Sequence, residues 1–246
     1  MVRIHFRPVL SICALLGLGV LISLGTWQLR RLEWKNDLVA QIESRVNAGA
    51  SVDLVTVLDK WGNGEPVEYT KVSVAGTFQH EQEVHVFGTY EAKPGYYIYT
   101  PLMLEMPTAF QAPYLYVNRG FVPQAAKEID ARPSGAIEGV QNIVGLFRAS
   151  QKHSAFSKMF QAKDNPKTNT WFTRDANAFA QHAGIDVLPV FVDVYPEVSG
   201  VALPQGGTTR LDFSNKHMEY ALTWFGLAAT LIGVWLAFSV KRVAEK

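Results

Sequence analysis

One histidine in this chain has neighbours that give it chemistry. His217 lies in Ser214-Asn215-Lys216-His217-Met218-Glu219-Tyr220, just ahead of an uncharged run from Ala221 to Val240. At about 100° per residue, with His217 at zero, Tyr220 falls near 300°, Trp224 near 340°, Ala228 near 20°, Leu231 near 320° and Trp235 near 0°. A helix here carries His, Tyr and two Trp along one stripe. Gly226, Ala229, Gly233 and Ala237 gather on the other side, at about 180°, 120°, 160° and 200°. Small residues four apart let helix backbones approach closely, and Gly19 and Ser23 repeat the spacing in an earlier apolar run. If the small faces pack together, the His–Trp stripe points away, toward lipid, a partner protein or a flat ligand.

Two readings fit that stripe. Neutral imidazole is a common axial ligand of haem, and an apolar stripe can cover a porphyrin plane. Arg30, Arg31, Arg210 and Lys216 lie near the same border and suit propionates. A belt of Tyr and Trp with a histidine one turn out is equally an ordinary membrane anchor. The face Trp27, Arg31, Trp34 is ambiguous in the same way. It is either a snorkelling arginine among belt tryptophans or an Arg–Trp stack that docks a partner.

Elsewhere the chain shows no nucleophile elbow, P-loop, dinucleotide fingerprint or HExxH. His80 and His85 are five apart on strand-like sequence, so they point to opposite faces. They read as two surface histidines that share no metal. His5, His153 and His182 read as interfacial or solvated. The single cysteine, Cys13, excludes internal disulfides and Cys-rich zinc sites. With 23 basic against 22 acidic residues, the net charge of +1 lacks the basic excess of a nucleic-acid binder. A hydrophobic share of 48% excludes a disordered chain.

The elements that must position these residues begin with two uncharged runs, 9–27 and 221–240. At about 1.5 Å per residue each spans the roughly 30 Å of a bilayer core, so both read as transmembrane helices. A cleaved leader ending near Ser23-Leu24-Gly25 is the rival for the first. However, Leu24, Trp27, Arg31, Trp34 and Leu38 continue one helical face past that point. The tails carry Arg3, Arg7, Lys241, Arg242 and Lys246 against Glu245. That bias places both termini in the cytoplasm and the middle in a bacterial periplasm, although Arg30, Arg31 and Lys35 oppose it. The middle, within 28–220, starts helical to about Asn47 and loops at Trp61-Gly62-Asn63-Gly64. Six strand-like runs follow: Tyr69–Phe78, Glu83–Tyr90, Tyr96–Leu104, Tyr114–Val122, Asn142–Arg148 and Val187–Val194. Thr173 is placed to cap a short helix, with Asp175 in its first turn and Gly184 just past its end. Residues 196–210 read as a flexible approach to the second span. The expected fold is α+β: two transmembrane helices flanking an antiparallel, barrel-like extramembrane domain.

Gly25-Thr26-Trp27-Gln28-Leu29-Arg30-Arg31-Leu32-Glu33-Trp34-Lys35 and Asn215 through Gly226 make the sequence resemble the Surfeit-locus family of cytochrome c oxidase assembly factors. Asn118-Arg119-Gly120-Phe121-Val122-Pro123 and Gly145-Leu146-Phe147-Arg148 extend the likeness, and Trp171-Phe172 with Asp175 is a weaker echo. Phe121 stands where many members have Trp. The resemblance implies an inner-membrane protein, not an enzyme, that helps place haem a in the oxidase catalytic subunit. Haem a biosynthesis enzymes are further partners it suggests. It also implies His217 as haem ligand, to which the stripe adds Tyr220 and Trp224 as ring contacts and the border charges add Lys216, Arg30 and Arg31 for the propionates. A cofactor-free scaffold docking oxidase subunits through Trp27, Arg31 and Trp34 is the alternative. A membrane-anchored enzyme would need acids or histidines that converge in the middle domain.

Overall fold

The computed structural model describes residues 2–4, 8–105, 112–150, 162–195, 203–209, 211 and 215–242. The first elements are β1 (Val2–Ile4), α1 (Pro8–Val46), β2 (Val52–Asp53), α2 (Leu54–Gly62), β3 (Lys71–Phe78) and β4 (Val84–Tyr90). Then come β5 (Lys93–Leu104), β6 (Tyr114–Pro123), β7 (Val140–Ala149), α3 (Ala176–Ala183), β8 (Val187–Val194), α4 (His217–Ser239) and β9 (Val240–Arg242). They divide into two compact units, Met1–Gln41 with Asp212–Lys246, and Ile42–Leu211.

The first unit holds the two helices long and apolar enough to cross a membrane. Helix α1 has 39 residues, about 58 Å at 1.5 Å per residue, well beyond a bilayer core. It runs unbroken through residue 25, as the continued apolar face indicates. Strands β1 and β9 pair antiparallel, Val2 with Arg242.

In the second unit the sheet closes on itself. The strand order is β2-β3-β7-β8-β6-β5-β4, and a further β3–β5 pairing joins the ends of the inner five. The barrel therefore runs β3-β5-β6-β8-β7, the connectivity of OB-type Greek-key barrels. β4 extends it beyond β5 and β2 beyond β3. All six strand-like runs of the sequence become strands. The sheet is not purely antiparallel as expected, because β6 and β8 pair in parallel, Val117 beside Val192. That pairing needs a crossover, which β7 and α3 provide.

Alternation within each strand fills the barrel. Val72, Leu102, Leu115, Val117, Phe147 and Val192 are all fully buried in one core. Helix α2 lays Leu54, Val57 and Leu58 on it. Their spacing of three and four marks one helical face, and Asp53 caps the helix through Val55 N. A second core gathers around Phe179 of α3, whose ring lies 5.0 Å from Trp171.

Two local expectations are corrected. Asp175 caps α3, accepting from Asn177 and Ala178 N. Thr173 does not, because Asp164 holds its backbone N–H and hydroxyl. The 203–209 part of the supposed flexible approach packs back on the barrel: Phe121 and Gln205 exchange both backbone hydrogen bonds, at 3.0 and 2.9 Å. Each satisfies a polar group that would otherwise be left unpaired. Residues 196–202 and 210 lie outside the described residues.

Candidate functional site

In the helical unit, His217 opens α4 and its Nδ1 lies 2.7 Å from Gln28 Oε1 on α1. A second polar bond lies two residues before α4 begins and eight residues later on α1, from Asn215 Nδ2 to Asn36 Oδ1 at 2.8 Å. Farther along, Trp235 Nε1 donates to Ser11 Oγ at 3.1 Å. The His217–Trp235 stripe thus faces the other helix, which reverses the expected packing. Gly19, Gly226 and Gly233 have open space where a Cβ would sit. Gly25 receives the Phe225 ring and Gly17 receives Leu231, while Ala221 and Ala228 are buried. The seam sets large α4 side chains into glycine sockets of α1. This buries more apolar area than small-on-small contact and also satisfies polar hydrogens between the helices.

The inward stripe does not enclose every residue assigned to it. His217 and Trp224 are half-buried, whereas Tyr220 and Lys216 are exposed. Arg30 and Arg31 are exposed on α1. Arg31 lies flat over Trp34, its guanidinium carbon 3.8 Å from the ring centroid, and Trp27 is exposed beside this pair in sequence.

The barrel unit holds two charged centres that sequence reasoning missed. At the first, Glu83 Oε1 accepts from His85 Nε2 at 2.8 Å and is ion-paired to Arg132. Arg132 is fully buried and also donates to the carbonyls of Ala126 and Lys127. Burial alone would raise the Glu83 carboxyl, but the His85 hydrogen bond and Arg132 outweigh it and hold it below the ordinary carboxylate range. Burial pushes neighbouring Arg119 down to about 10. His80 donates from Nε2 to Ile137 O at 2.9 Å, and its Nδ1 lies 3.4 Å from Arg119 Nη1. The two histidines are therefore not free surface residues, and His85 is only 3% exposed. The intervening turn at 80–82 breaks the strand alternation on which the opposite-face expectation rested. His182 is exposed and meets Trp171 edge-on, ring centroids 5.5 Å apart, and His5 and His153 lie outside the described residues.

At the second centre Asp193 of β8 is buried and accepts from three side chains. Asn118 Nδ2 donates to its Oδ1 at 3.0 Å, and Thr209 Oγ1 and Arg148 Nη1 to its Oδ2 at 3.0 and 3.3 Å. Arg174 Nη1 stands 3.9 Å from the same oxygen. Asn118 and Arg148 belong to the two strand blocks, so segments distant in sequence meet on one carboxylate. The available signal was a lone acid in the apolar strand VLPVFVDV. Among the described residues no three His, Cys, Asp or Glu side chains gather as a metal site.

These features define a class: a closed β-barrel domain flanked by two helices able to cross a membrane, whose polar centres are ion-pair hubs. The SURF1 family pattern matches residues 15–229. Surfeit locus protein 1 of Mus musculus is 33% identical over 231 residues, covering 89% of this chain and 72% of that protein. The Homo sapiens protein of the same name is 32% identical over 229 residues, 87% and 72%. A SURF1-like protein of Monosiga brevicollis is 31% identical over 237 residues, 91% and 85%. The chain belongs to the SURF1 family.

Proposed function

We propose that this chain is a non-catalytic assembly factor for cytochrome c oxidase, carrying haem a as cargo at His217 and aiding its insertion into the catalytic subunit. In this reading it sits in the inner membrane with both termini cytoplasmic and the barrel periplasmic. Family membership supports the oxidase connection. The Gln28–His217 hydrogen bond carries the cofactor reading. With Oε1 as acceptor, Nδ1 bears the proton and Nε2 keeps its lone pair for iron. An acceptor on the ring nitrogen away from the metal fixes tautomer and ring orientation at metal-ligating histidines. Trp224 shares the half-buried stripe, and exposed Lys216, Arg30 and Arg31 suit propionates.

The test uses the full chain purified in mild detergent from cells that make haem a. The wild type is expected to show Soret absorbance, and His217→Ala to lose most of it. Gln28→Leu removes the acceptor and is expected to weaken haem retention by about tenfold. Unchanged haem content in His217→Ala removes this histidine from the mechanism.

The Arg31–Trp34 stack favours a second reading, a cofactor-free scaffold. Two exposed tryptophans and a stacked arginine are the residue types that anchor protein interfaces. Wild-type protein that co-purifies with the oxidase catalytic subunit but lacks Soret absorbance would decide for it.

A further inference from the structure

The Asp193 centre opens into a cavity of about 320 Å³ on the barrel unit, which the haem reading leaves unused. Its lining carries two guanidinium groups, Arg148 and Arg174, against one carboxylate, Asp193. Asp193 is already engaged, because Asn118, Thr209 and Arg148 donate to it. Arg148 is tied down by two carboxylates and a ring: its Nε goes to Glu68 Oε2 at 3.0 Å, its Nη1 to Asp193, and its guanidinium carbon lies 4.2 Å from the Tyr69 ring centroid.

Arg174 differs. Its side chain is only 14% exposed, yet it reaches Asp193 at 3.9 Å, beyond hydrogen bonding. It also meets the Tyr99 oxygen and lies in the field of the Glu68 carboxylate. A guanidinium has five N–H donors, so most of this fork has no hydrogen-bond partner among the described residues. Thr208 also lines the cavity. It is 4% exposed, and its Oγ1 has no partner among the described residues. A buried hydroxyl without a partner is costly, and the guanidinium N–H groups that face the cavity beside it call for an anion. Phe87, Tyr97 and Phe172 form the apolar walls.

We infer that this cavity binds the carboxylate of an aromatic ligand, with the Arg174 fork taking the two oxygens, Thr208 adding a donor and the rings flanking the aromatic body. One unspent planar fork matches a carboxylate in charge and shape. The same chemistry has two sources, a free aromatic acid or the chain end of a polypeptide with an aromatic last residue. The site belongs to the barrel unit and uses none of the residues assigned to haem, so the inference stands whether or not haem is carried.

Calorimetric titration of the full chain in mild detergent with 1-naphthoate tests it, with 1-naphthamide as the uncharged control. The wild type is expected to bind the acid and not the amide. Arg174→Gln is expected to weaken binding by about tenfold or more and Thr208→Val by several fold. Detergent partitioning is common to all variants and cancels in the comparison. A tripeptide ending in phenylalanine, as free acid and as amide, separates the sources. A chain-end site prefers the peptide acid to its amide, and a small-acid site binds naphthoate but neither peptide. Equal binding of naphthoate and naphthamide, no binding of naphthoate, or unchanged affinity in Arg174→Gln overturns the inference. Should Arg174→Gln fail to fold, unchanged affinity in Thr208→Val overturns it.

Discussion

Arg132→Met is expected to destabilise the barrel unit by about 3–5 kcal/mol, the usual cost of removing one member of a buried ion pair. Arg132 is fully buried and reaches three acceptors: Glu83 Oε1, Ala126 O and Lys127 O. Methionine keeps the length of the stem but leaves the Glu83 carboxylate inside the protein with His85 as its remaining polar partner. The two carbonyls, which belong to the connection between β6 and β7, lose their tie as well. Thermal unfolding of the full chain in mild detergent, followed by near-ultraviolet circular dichroism, should show the midpoint falling by about 10 °C or more. Pairing the change with Glu83→Leu should recover part of the loss, because an apolar pair in place of an ion pair no longer strands a charge. A double variant less stable than Arg132→Met alone would mean that Glu83 stabilises the fold through groups other than Arg132.

The same centre fixes a pH dependence. Glu83 is held below the ordinary carboxylate range by His85 and Arg132 against the opposing effect of burial. A carboxylate depressed in the folded state contributes stability that is fully present above its unfolded pKa. That contribution is lost as pH falls through the folded value. The melting midpoint of the wild type should therefore drop on the acid side of the ordinary carboxylate range, and Glu83→Gln should flatten that drop. Equal slopes in the two proteins would assign the acid lability to other groups.

The architecture was legible because it rests on patterns that survive any neighbourhood. Two runs without a charge, and six runs rich in Val, Tyr, Phe and Thr bounded by turn residues, decide helix and strand locally. How the strands closed was not legible. The β3–β5 pairing that seals the barrel and the parallel β6–β8 contact both join segments far apart in sequence. The seam between the helices went the wrong way because small-residue spacing says where close approach is allowed and not where it happens. Phe225 seated on Gly25, with Gln28 and Ser11 as polar partners, outweighed the glycine stripe of α4. The ion-pair hubs were hidden for a different reason. Glu83, Arg132, Arg148, Arg174 and Asp193 look like scattered charges until the fold brings them together. Only Asp193 and Asn118-Arg119, polar residues inside apolar strands, signalled burial beforehand.

Gly120→Ala should be as damaging as the loss of Arg132, for steric reasons alone. Gly120 has φ +121, outside the range of L side chains, and a Cβ there would lie 1.8 Å from Gln205 O and 2.3 Å from its carbonyl carbon. Both obstacles are backbone, so no rotamer change relieves them. The 203–209 segment must move away from β6, which breaks the hydrogen bonds between Phe121 and Gln205. It also withdraws Thr209 from Asp193 and Thr208 from the cavity wall. Backbone strain and overpacking each cost about 1–3 kcal/mol, so a loss of about 2–6 kcal/mol is expected. Gly139→Ala is the control that separates the two causes. Its φ of +75 imposes strain, but nothing lies within 4 Å of the added methyl, so it should cost only about 1 kcal/mol. Where Gly120→Ala still folds, its affinity for 1-naphthoate should fall with the displaced Thr208, while Gly139→Ala binds like the wild type. Equal melting midpoints for the two variants would show that the 203–209 segment yields at no cost and does not brace the barrel.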